Sequence, residues 1–211
     1  NGPSNSGIIF LAKYSSLGDL IWVKGMSSAN GFGIGKDIEI AANGDVILAG
    51  NFKVTVDFDP SPAVLNFSAI STNFYDIFIT RFTSNGDLVW AKQIGGNNYD
   101  EVKGMALDAS DNIYLTGYFM STVDFDPGPA VTSFTAPLNS KLFYLAKYSG
   151  LGDLVWVNYN PQNESEGGDI TLESSGNLVV TGFFNVQFSI ANAGTTFYEF
   201  VNTGNRTFVF R

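Results

Sequence analysis

The sequence contains no cysteine and no histidine, and only 15% of its 211 residues are charged, against about 25% in an average soluble domain. Without those two residue types the chain cannot build a disulfide scaffold, a thiolate or imidazole zinc site, a thiol nucleophile or a Ser-His-Asp triad. No stretch approaches the roughly 20 apolar residues of a membrane helix. We therefore expect no membrane insertion.

The charge balance excludes a further class of partner. Eleven basic residues against 20 acidic residues leave a net charge of −9, which opposes binding to nucleic acid. The abundant residues are 23 Gly, 19 Phe and 9 Tyr, a composition that favours strands and turns over helices. The composition thus indicates an all-β protein with a sizeable core.

Three markers recur in the same order and define a repeat of about 67 residues. In the first marker, residues 14–23 return at 148–157 with eight of ten identical, and a related copy at 82–91 aligns Trp90 with Trp22 and Trp156. The third marker, T-V-D-F-D-P-S-P-A-V at 55–64, returns at 122–131 with nine of ten identical. The second marker lies at 49–52, 116–119 and 181–184.

The sequence of each repeat predicts four antiparallel strands, which is the number of strands in a β-propeller blade. Apolar and polar residues alternate with period two, which predicts the first strand. A turn rich in Gly, Asn or Asp follows this strand. The glycine of the second marker is expected to end the second strand. A long loop then leads to the third strand, and the fourth ends near the tryptophan. The first strands lie at 38–41, 105–108 and 170–173, the second at 46–49, 113–116 and 178–181, and the third at 9–14, 77–82 and 143–148.

The chain is predicted to be a single propeller region, 1–211, with repeats at 1–30 (partial), 31–97, 98–160 and 161–211 (partial). Propellers typically need four to eight blades, so three units do not close a ring. We expect either that the residues are a window of a longer chain or that self-association, for example a dimer, closes the propeller.

The markers also resemble a known family. Residues 111–119, 76–90 and 123–131 carry a pattern that is similar to the bacterial β-propeller repeat (SBBP) of large secreted proteins. The V-D-F-D-P-G-P-A-V segment resembles the version found in Bacteroidetes-type surface proteins. The resemblance implies an extracellular or cell-surface location, with signal and anchor outside this chain, and implies little about activity, because a fold does not determine function.

The paired aspartates are the sharpest polar feature. Asp57 and Asp59, and likewise Asp124 and Asp126, are two residues apart, which places both carboxylates on one side of an extended segment, where they could share Ca²⁺. The alternative is a rigid turn in which aspartate caps backbone amides and proline fixes φ. The third copy, Q-F-S-I at 187–190, lacks both carboxylates, which weakens an essential metal role. No other cofactor is expected.

Other candidates concern glycosides and glycans. Asp108 and Glu173 occupy equivalent places and could face a central channel, but no motif marks them as the acid pair of a glycosidase. The three tryptophans, with Phe52, Phe119 and Phe184, are predicted to pack between blades. Aromatic residues outside these repeat positions are more plausible ligand contacts: Phe32, Tyr75 and Tyr99.

We interpret the chain as a non-enzymatic binding or structural scaffold module with a protein or glycan partner. The segments between the second and third strands differ most between repeats, so they are expected to carry any partner contacts. Those segments are 53–75, 120–141 and 185–206. The alternatives are a calcium-stiffened adhesin, a glycan-binding lectin and, less favoured, an enzyme acting on glycosides.

Overall fold

A computed structural model describes residues 7–26, 30–161 and 164–185, together with five short strands between residues 187 and 210. Every regular element in this described part is a β-strand. The strands are β1 (Ile9–Tyr14), β2 (Leu20–Met26), β3 (Phe32–Ile40), β4 (Val46–Lys53), β5 (Thr55–Asp57), β6 (Asn66–Ser68), β7 (Asp76–Phe82), β8 (Leu88–Gly96), β9 (Asp100–Leu107), β10 (Ile113–Met120), β11 (Thr122–Asp124), β12 (Ser133–Thr135), β13 (Lys141–Tyr148), β14 (Leu154–Tyr159), β15 (Ser165–Leu172), β16 (Leu178–Phe184), β17 (Gln187–Phe188), β18 (Ala191–Asn192), β19 (Thr195–Thr196), β20 (Phe200–Val201) and β21 (Arg206–Phe210).

The strands form antiparallel blades in the predicted order, which confirms the all-β propeller-blade fold. The second blade contains β3, β4, β7 and β8, and the third contains β9, β10, β13 and β14. We call the four positions A, B, C and D from the inner to the outer strand. The first blade supplies the pair β1–β2 at positions C and D, and the fourth supplies β15, β16 and β21 at positions A to C. Among the strands described, none of the first blade pairs with one of the fourth.

The segments between B and C strands are not loops throughout, contrary to the sequence prediction. Residues 122–135 form the hairpin β11–β12, and β11 pairs with β8 of the preceding blade through Val123 and Asp124. The hairpin β18–β19 is joined in the same way to β14. Each of these two blades therefore has a six-stranded sheet whose outer edge comes from the next repeat.

The repeat glycine does not end the B strand, as the sequence had suggested, because β4 and β10 continue for three residues beyond it. It does mark a close backbone approach. A Cβ at Gly50 would collide with the carbonyl oxygen of Ile34, and one at Gly117 would collide with that of Glu101. The pairing of the A strand with the B strand shifts register at this level, so the glycine accommodates a bulge.

The predicted A–B turns adopt the expected left-handed backbone. Gly44 has φ of 85°, Asp111 of 60° and Gly176 of 89°, as tight hairpin turns require. These turns and the C–D turns lie at one end of every blade, which we call the turn end. The opposite end, where A and C strands begin and B and D strands finish, is called the insertion end.

Within the described ranges the core is divided into three clusters, each between neighbouring blades. One cluster joins Ile9 and Leu11 of the first blade to Leu48 and Phe52 of the second. Another joins the second and third blades around Ile79 and Leu115, and the last joins the third and fourth around Phe143 and Ile170. Burial of apolar side chains between blades is thus the main stabilising contact of the molecule.

Candidate functional site

The paired aspartates of the third blade close the turn of hairpin β11–β12. Asp124 Oδ1 accepts hydrogen bonds from the backbone N–H groups of Asp126 (3.1 Å) and Thr132 (2.9 Å), and Asp126 Oδ1 accepts one from Gly128 N–H (2.7 Å). The Phe125 ring between them is buried. The carboxylates therefore act on the backbone of their own hairpin.

The second blade repeats this arrangement. Asp57 Oδ1 accepts hydrogen bonds from the N–H groups of Asp59 (3.1 Å) and Leu65 (2.8 Å), and Asp59 Oδ1 accepts one from Ser61 N–H (2.8 Å). The turn role is thus observed in both copies. No group of three or more acidic side chains suited to a metal occurs in the described ranges, and Ca²⁺ binding at these four aspartates stays a prediction.

The Asp108 side chain caps the turn between β9 and β10. Its Oδ1 accepts from the N–H groups of Ser110 (2.9 Å) and Asn112 (3.0 Å), and its Oδ2 accepts from Tyr114 OH (3.0 Å) and Lys147 Nζ (3.3 Å). Burial raises the pKa of Asp108, but the hydrogen bonds from Asn112, Ser110 and Tyr114 outweigh it and leave the pKa well below its usual range.

Glu173 holds the equivalent turn of the fourth blade, where it accepts hydrogen bonds from Ser175 Oγ (3.2 Å) and Asn177 Nδ2 (3.4 Å). Both acidic residues therefore lie at the turn end in capping roles. A general acid needs a raised pKa, and that of Asp108 is lowered instead.

The tryptophans pack between blades, as predicted. Trp22 donates from Nε1 to the carbonyl oxygen of Ser84 (3.2 Å) in the C–D turn of the next blade, and its ring covers Gly86 of that turn. Trp90 covers Gly152 in the same way, and Trp156 belongs to the cluster between the third and fourth blades. Phe52, Phe119 and Phe184 are buried. These six residues are thus part of the core.

The three aromatic residues singled out as ligand contacts come together at the insertion end. The ring centroids of Phe32 and Tyr75 are 5.9 Å apart, and those of Tyr75 and Tyr99 are 5.8 Å apart. Phe74, which sequence analysis missed, contacts Tyr99 at 4.8 Å. All four rings are half-buried. We call Phe32, Phe74, Tyr75 and Tyr99 the aromatic end surface.

Cationic and anionic groups surround this surface. Lys53 Nζ lies 5.8 Å from the ring centroid of Phe32 and 5.4 Å from that of Tyr75, within the range of a cation–π interaction. In the third blade, Tyr118 OH donates to Glu101 (2.6 Å) and Lys103 Nζ forms an ion pair with the same carboxylate (2.9 Å). The insertion end therefore presents aromatic faces beside both signs of charge.

Burial and the Glu101 carboxylate together raise the pKa of Tyr118. Burial also acts to raise the pKa of Glu101, but the hydrogen bonds from Tyr118 and Lys103 outweigh it and lower that pKa. Glu101 is therefore ionised and Tyr118 is a neutral donor at physiological pH, so this polar group is held in one arrangement.

Three buried polar residues escaped sequence analysis: Asn51, Asp76 and Asp100. These residues are 1%, 0% and 0% exposed. Asn51 faces the third blade and donates from Nδ2 to the carbonyl of Asp100 (3.2 Å), whereas Asp76 shares the opposite face of the second blade with its paired residue Phe52. The sequence did mark these residues as unusual, because the next repeat has different residue types at the equivalent positions. Tyr118, Leu142 and Ser165 stand there in place of Asn51, Asp76 and Asp100, respectively. The contact of Asn51 with Asp100 depends on packing between two repeats and could not be seen in either alone.

Comparison with known proteins supports the repeat architecture. A family model described as a β-propeller repeat matches residues 89–118, which run from the D strand of the second blade into the B strand of the third. An uncharacterized WD repeat-containing protein of Acanthamoeba polyphaga mimivirus is 26% identical over 200 residues, covering 85% of this chain and 14% of the relative. The chain thus spans a small part of that relative's length.

No helix within the described ranges is both long and apolar enough to cross a membrane. The propeller repeat and the WD repeat relative together favour a scaffold or binding module.

Proposed function

We propose that this chain is a non-enzymatic binding module of a secreted or cell-surface bacterial protein, and that its partner contacts the aromatic end surface. The observation that carries the proposal is the contact chain of four half-buried rings, Phe32, Tyr75, Tyr99 and Phe74, with Lys53 above two of them. Aromatic side chains are enriched at the centres of protein interfaces.

The rings are held in place before any partner binds. Phe32 begins β3, Tyr75 directly precedes the buried strand β7, and Tyr99 directly precedes β9. The backbone carbonyls of Tyr75 and Tyr99 accept hydrogen bonds from the N–H groups of Asp100 (2.9 Å) and Met120 (2.9 Å), which fix the backbone at these two rings. A surface of rigid aromatic side chains loses little conformational entropy on binding. A protein partner is our first expectation, and a glycan that stacks on the rings is the second.

A double variant tests the proposal. Ligands for the 211-residue chain are selected from a displayed peptide library and from a glycan array, and each is then measured against Tyr75→Ala/Tyr99→Ala. We expect at least a tenfold loss of affinity, since truncating a hot-spot residue costs about 2 kcal/mol or more. The matched control is Tyr14→Ala, which removes a 60% exposed tyrosine at the turn end.

Selected ligands that bind the double variant as well as the wild type and lose affinity for Tyr14→Ala would overturn the proposal. Turnover of a glycoside panel by the wild type would overturn its non-enzymatic part. The further expectation that a second copy or additional repeats close the ring is tested separately, by the native mass of the chain at dilute concentration.

A further inference from the structure

A groove of about 800 Å³ lies beside β8, the D strand of the second blade. It is lined by β8, by hairpin β5–β6 of the same repeat and by hairpin β11–β12 of the next repeat. We call it the D-strand groove. Ligand sites in proteins occupy about 300–1,000 Å³ and combine apolar walls with a few polar groups. The residues that matter for the argument are Phe67, Trp90, Lys92, Gln93, Asp124 and Asp126, all of which line the groove.

The next repeat places an aromatic ring where the second repeat has Gln93. Strand pairing makes Phe67 equivalent to Phe134, because each is opposite the valine of its hairpin. It likewise makes Gln93 equivalent to Tyr159. The ring centroids of Phe134 and Tyr159 are 4.4 Å apart and their planes are tilted by 39°. The fold therefore accepts a flat group against the phenylalanine of this hairpin.

Gln93 does not replace the ring of Tyr159 as a flat partner for Phe67, because hydrogen bonds hold its amide elsewhere. Its Nε2 donates to the backbone carbonyl of Ser68 (2.9 Å) and to Asp76 Oδ2 (2.7 Å). Phe67 is half-buried and borders the groove. The D-strand groove therefore offers an aromatic side chain without the ring that covers its counterpart one repeat later.

The groove also carries a surplus of negative charge. Asp124 and Asp126 use Oδ1 to accept backbone hydrogen bonds in their own turn. Within the part of the chain that the structure describes, the Oδ2 atom of each has neither a hydrogen bond nor an ion pair. Lys92, the cation among the lining residues, is already paired with Asp153 (3.1 Å). The groove of this chain, whose net charge is −9, therefore attracts a cationic group.

A guanidinium group matches both features of the groove. It is planar, it stacks on aromatic faces, and its forked N–H groups donate to carboxylate oxygens. A calcium ion would use the carboxylates of Asp124 and Asp126 but not the ring of Phe67. An ammonium group carries the charge but has no flat face to set against that ring. The combination of one aromatic wall and two carboxylates thus favours arginine.

We propose that the D-strand groove binds an arginine side chain from a basic segment of a partner protein. The guanidinium group would lie against Phe67, as Tyr159 lies against Phe134, and would donate to the Oδ2 atoms of Asp124 and Asp126. The groove shares no residue with the aromatic end surface. This inference is therefore independent of the proposed function.

The experiment titrates the 211-residue chain with the peptide acetyl-Gly-Arg-Gly-amide at low salt, with a chelator present, and follows the tryptophan indole N–H signals by heteronuclear NMR. The chain has three tryptophans, and Trp90 lines the groove. Its signal is assigned by its loss in Trp90→Phe. We expect the peptide to shift the Trp90 signal and to leave the Trp22 signal unchanged. The matched peptide acetyl-Gly-Lys-Gly-amide should bind roughly threefold more weakly, because it lacks the planar fork.

Three variants locate the binding site. Asp124→Asn/Asp126→Asn removes the charge and keeps an oxygen for the turn amides, and it should weaken binding of the arginine peptide about tenfold. The matched control, Asp57→Asn/Asp59→Asn, makes the same change in the equivalent turn of the preceding repeat and should bind as the wild type does. Gln93→Tyr copies the next repeat and should also weaken binding about tenfold, because the new ring occupies the space beside Phe67. A dispersed amide spectrum shows that each variant is folded.

Four outcomes would overturn the proposal. The first is a Trp90 signal that the arginine peptide leaves unchanged, and the second is an undiminished response in Gln93→Tyr. The third is an equal loss in the two aspartate double variants, which would indicate a general attraction to an acidic protein. The fourth is a lysine peptide that binds as tightly as the arginine peptide. None of these outcomes bears on the aromatic end surface, which is tested by its own variants.

Discussion

Acidic side chains in this molecule act mainly on backbone groups near to them in sequence. Asp57, Asp108 and Asp124 each accept hydrogen bonds from two amides within eight residues. Such local bonds satisfy turn amides that strands cannot reach. Asp76 and Asp100 differ because both residues are fully buried and three of their four carboxylate oxygens have no hydrogen-bond partner.

Asp108 yields a prediction about pH. Its pKa is lower in the folded chain than in the unfolded chain, so the unfolded state binds more protons as pH falls and the stabilisation is lost below the ordinary pKa of 3.8. Asp108→Asn should reduce the free energy of unfolding by about 2 kcal/mol at pH 7. That difference should shrink steadily below pH 4, as measured by urea unfolding.

The control for this prediction is Asp87→Asn, whose carboxylate is 69% exposed. We expect a change below about 1 kcal/mol at either pH. An Asp108→Asn effect that is constant from pH 7 to pH 2 would contradict the assignment of the stabilisation to the ionised carboxylate.

The repeat glycine gives a second prediction at this scale. Gly50→Ala would bring a Cβ against the Ile34 carbonyl and within 2.6 Å of the Phe78 ring. We expect a destabilisation of about 2–3 kcal/mol, because the packed interior has no room to move. Gly168→Ala is the control, since its nearest contact would be 3.5 Å. Equal effects of the two substitutions in thermal unfolding would show that the close approach is absent.

At the scale of elements, a basic residue near the end of the C strands β1 and β7 reaches the C–D turn of the next blade. Lys13 Nζ donates to the Ser84 carbonyl of the next blade (3.1 Å), and Arg81 Nη1 donates to the Gly150 carbonyl (3.2 Å). Arg81 also forms ion pairs with Asp45 (2.8 Å) and Asp111 (3.3 Å). The blades are thus joined at the turn end by polar contacts as well as by the core.

Arg81→Met tests this connection. Its side chain is 12% exposed and those of its two acidic partners are 15% and 19% exposed, so the substitution leaves two half-buried carboxylates without a cation. We expect a loss of about 2 kcal/mol in urea unfolding, between the effects of breaking exposed and buried ion pairs. Lys92→Met, which breaks a pair with the 65% exposed Asp153, should cost less than about 1 kcal/mol. A loss for Arg81→Met no larger than for Lys92→Met would refute the joining role.

A structural feature could be predicted from the sequence alone when it depends on residues that are close together in the chain. Alternation and turn residues predicted the A, B and C strands and the left-handed turns at Gly44 and Gly176, because these depend on neighbouring residues. The pairing of Val123 with Gly96 of the preceding blade could not be predicted, since it joins two repeats. The meeting of Phe32, Tyr75 and Tyr99 was missed for the same reason, although each had been named separately.

At the scale of the whole molecule, the two ends differ in character. The turn end is built from capped turns and the ion pairs of Arg81, with exposed side chains such as Leu17 and Leu151 standing singly in C–D turns. The insertion end gathers the aromatic end surface, Lys53 and the Glu101–Tyr118 pair. Partner binding should therefore protect one end of the blades and leave the other unchanged.

Hydroxyl-radical footprinting of the chain with a selected ligand tests this claim most directly, because oxidation reports the exposure of individual side chains. The account predicts that the ligand lowers oxidation of Tyr75 and Tyr99 several-fold and leaves Tyr14, Leu17 and Leu151 unchanged. Protection of Tyr14 and Leu17 with unaltered oxidation of Tyr75 and Tyr99 would contradict it.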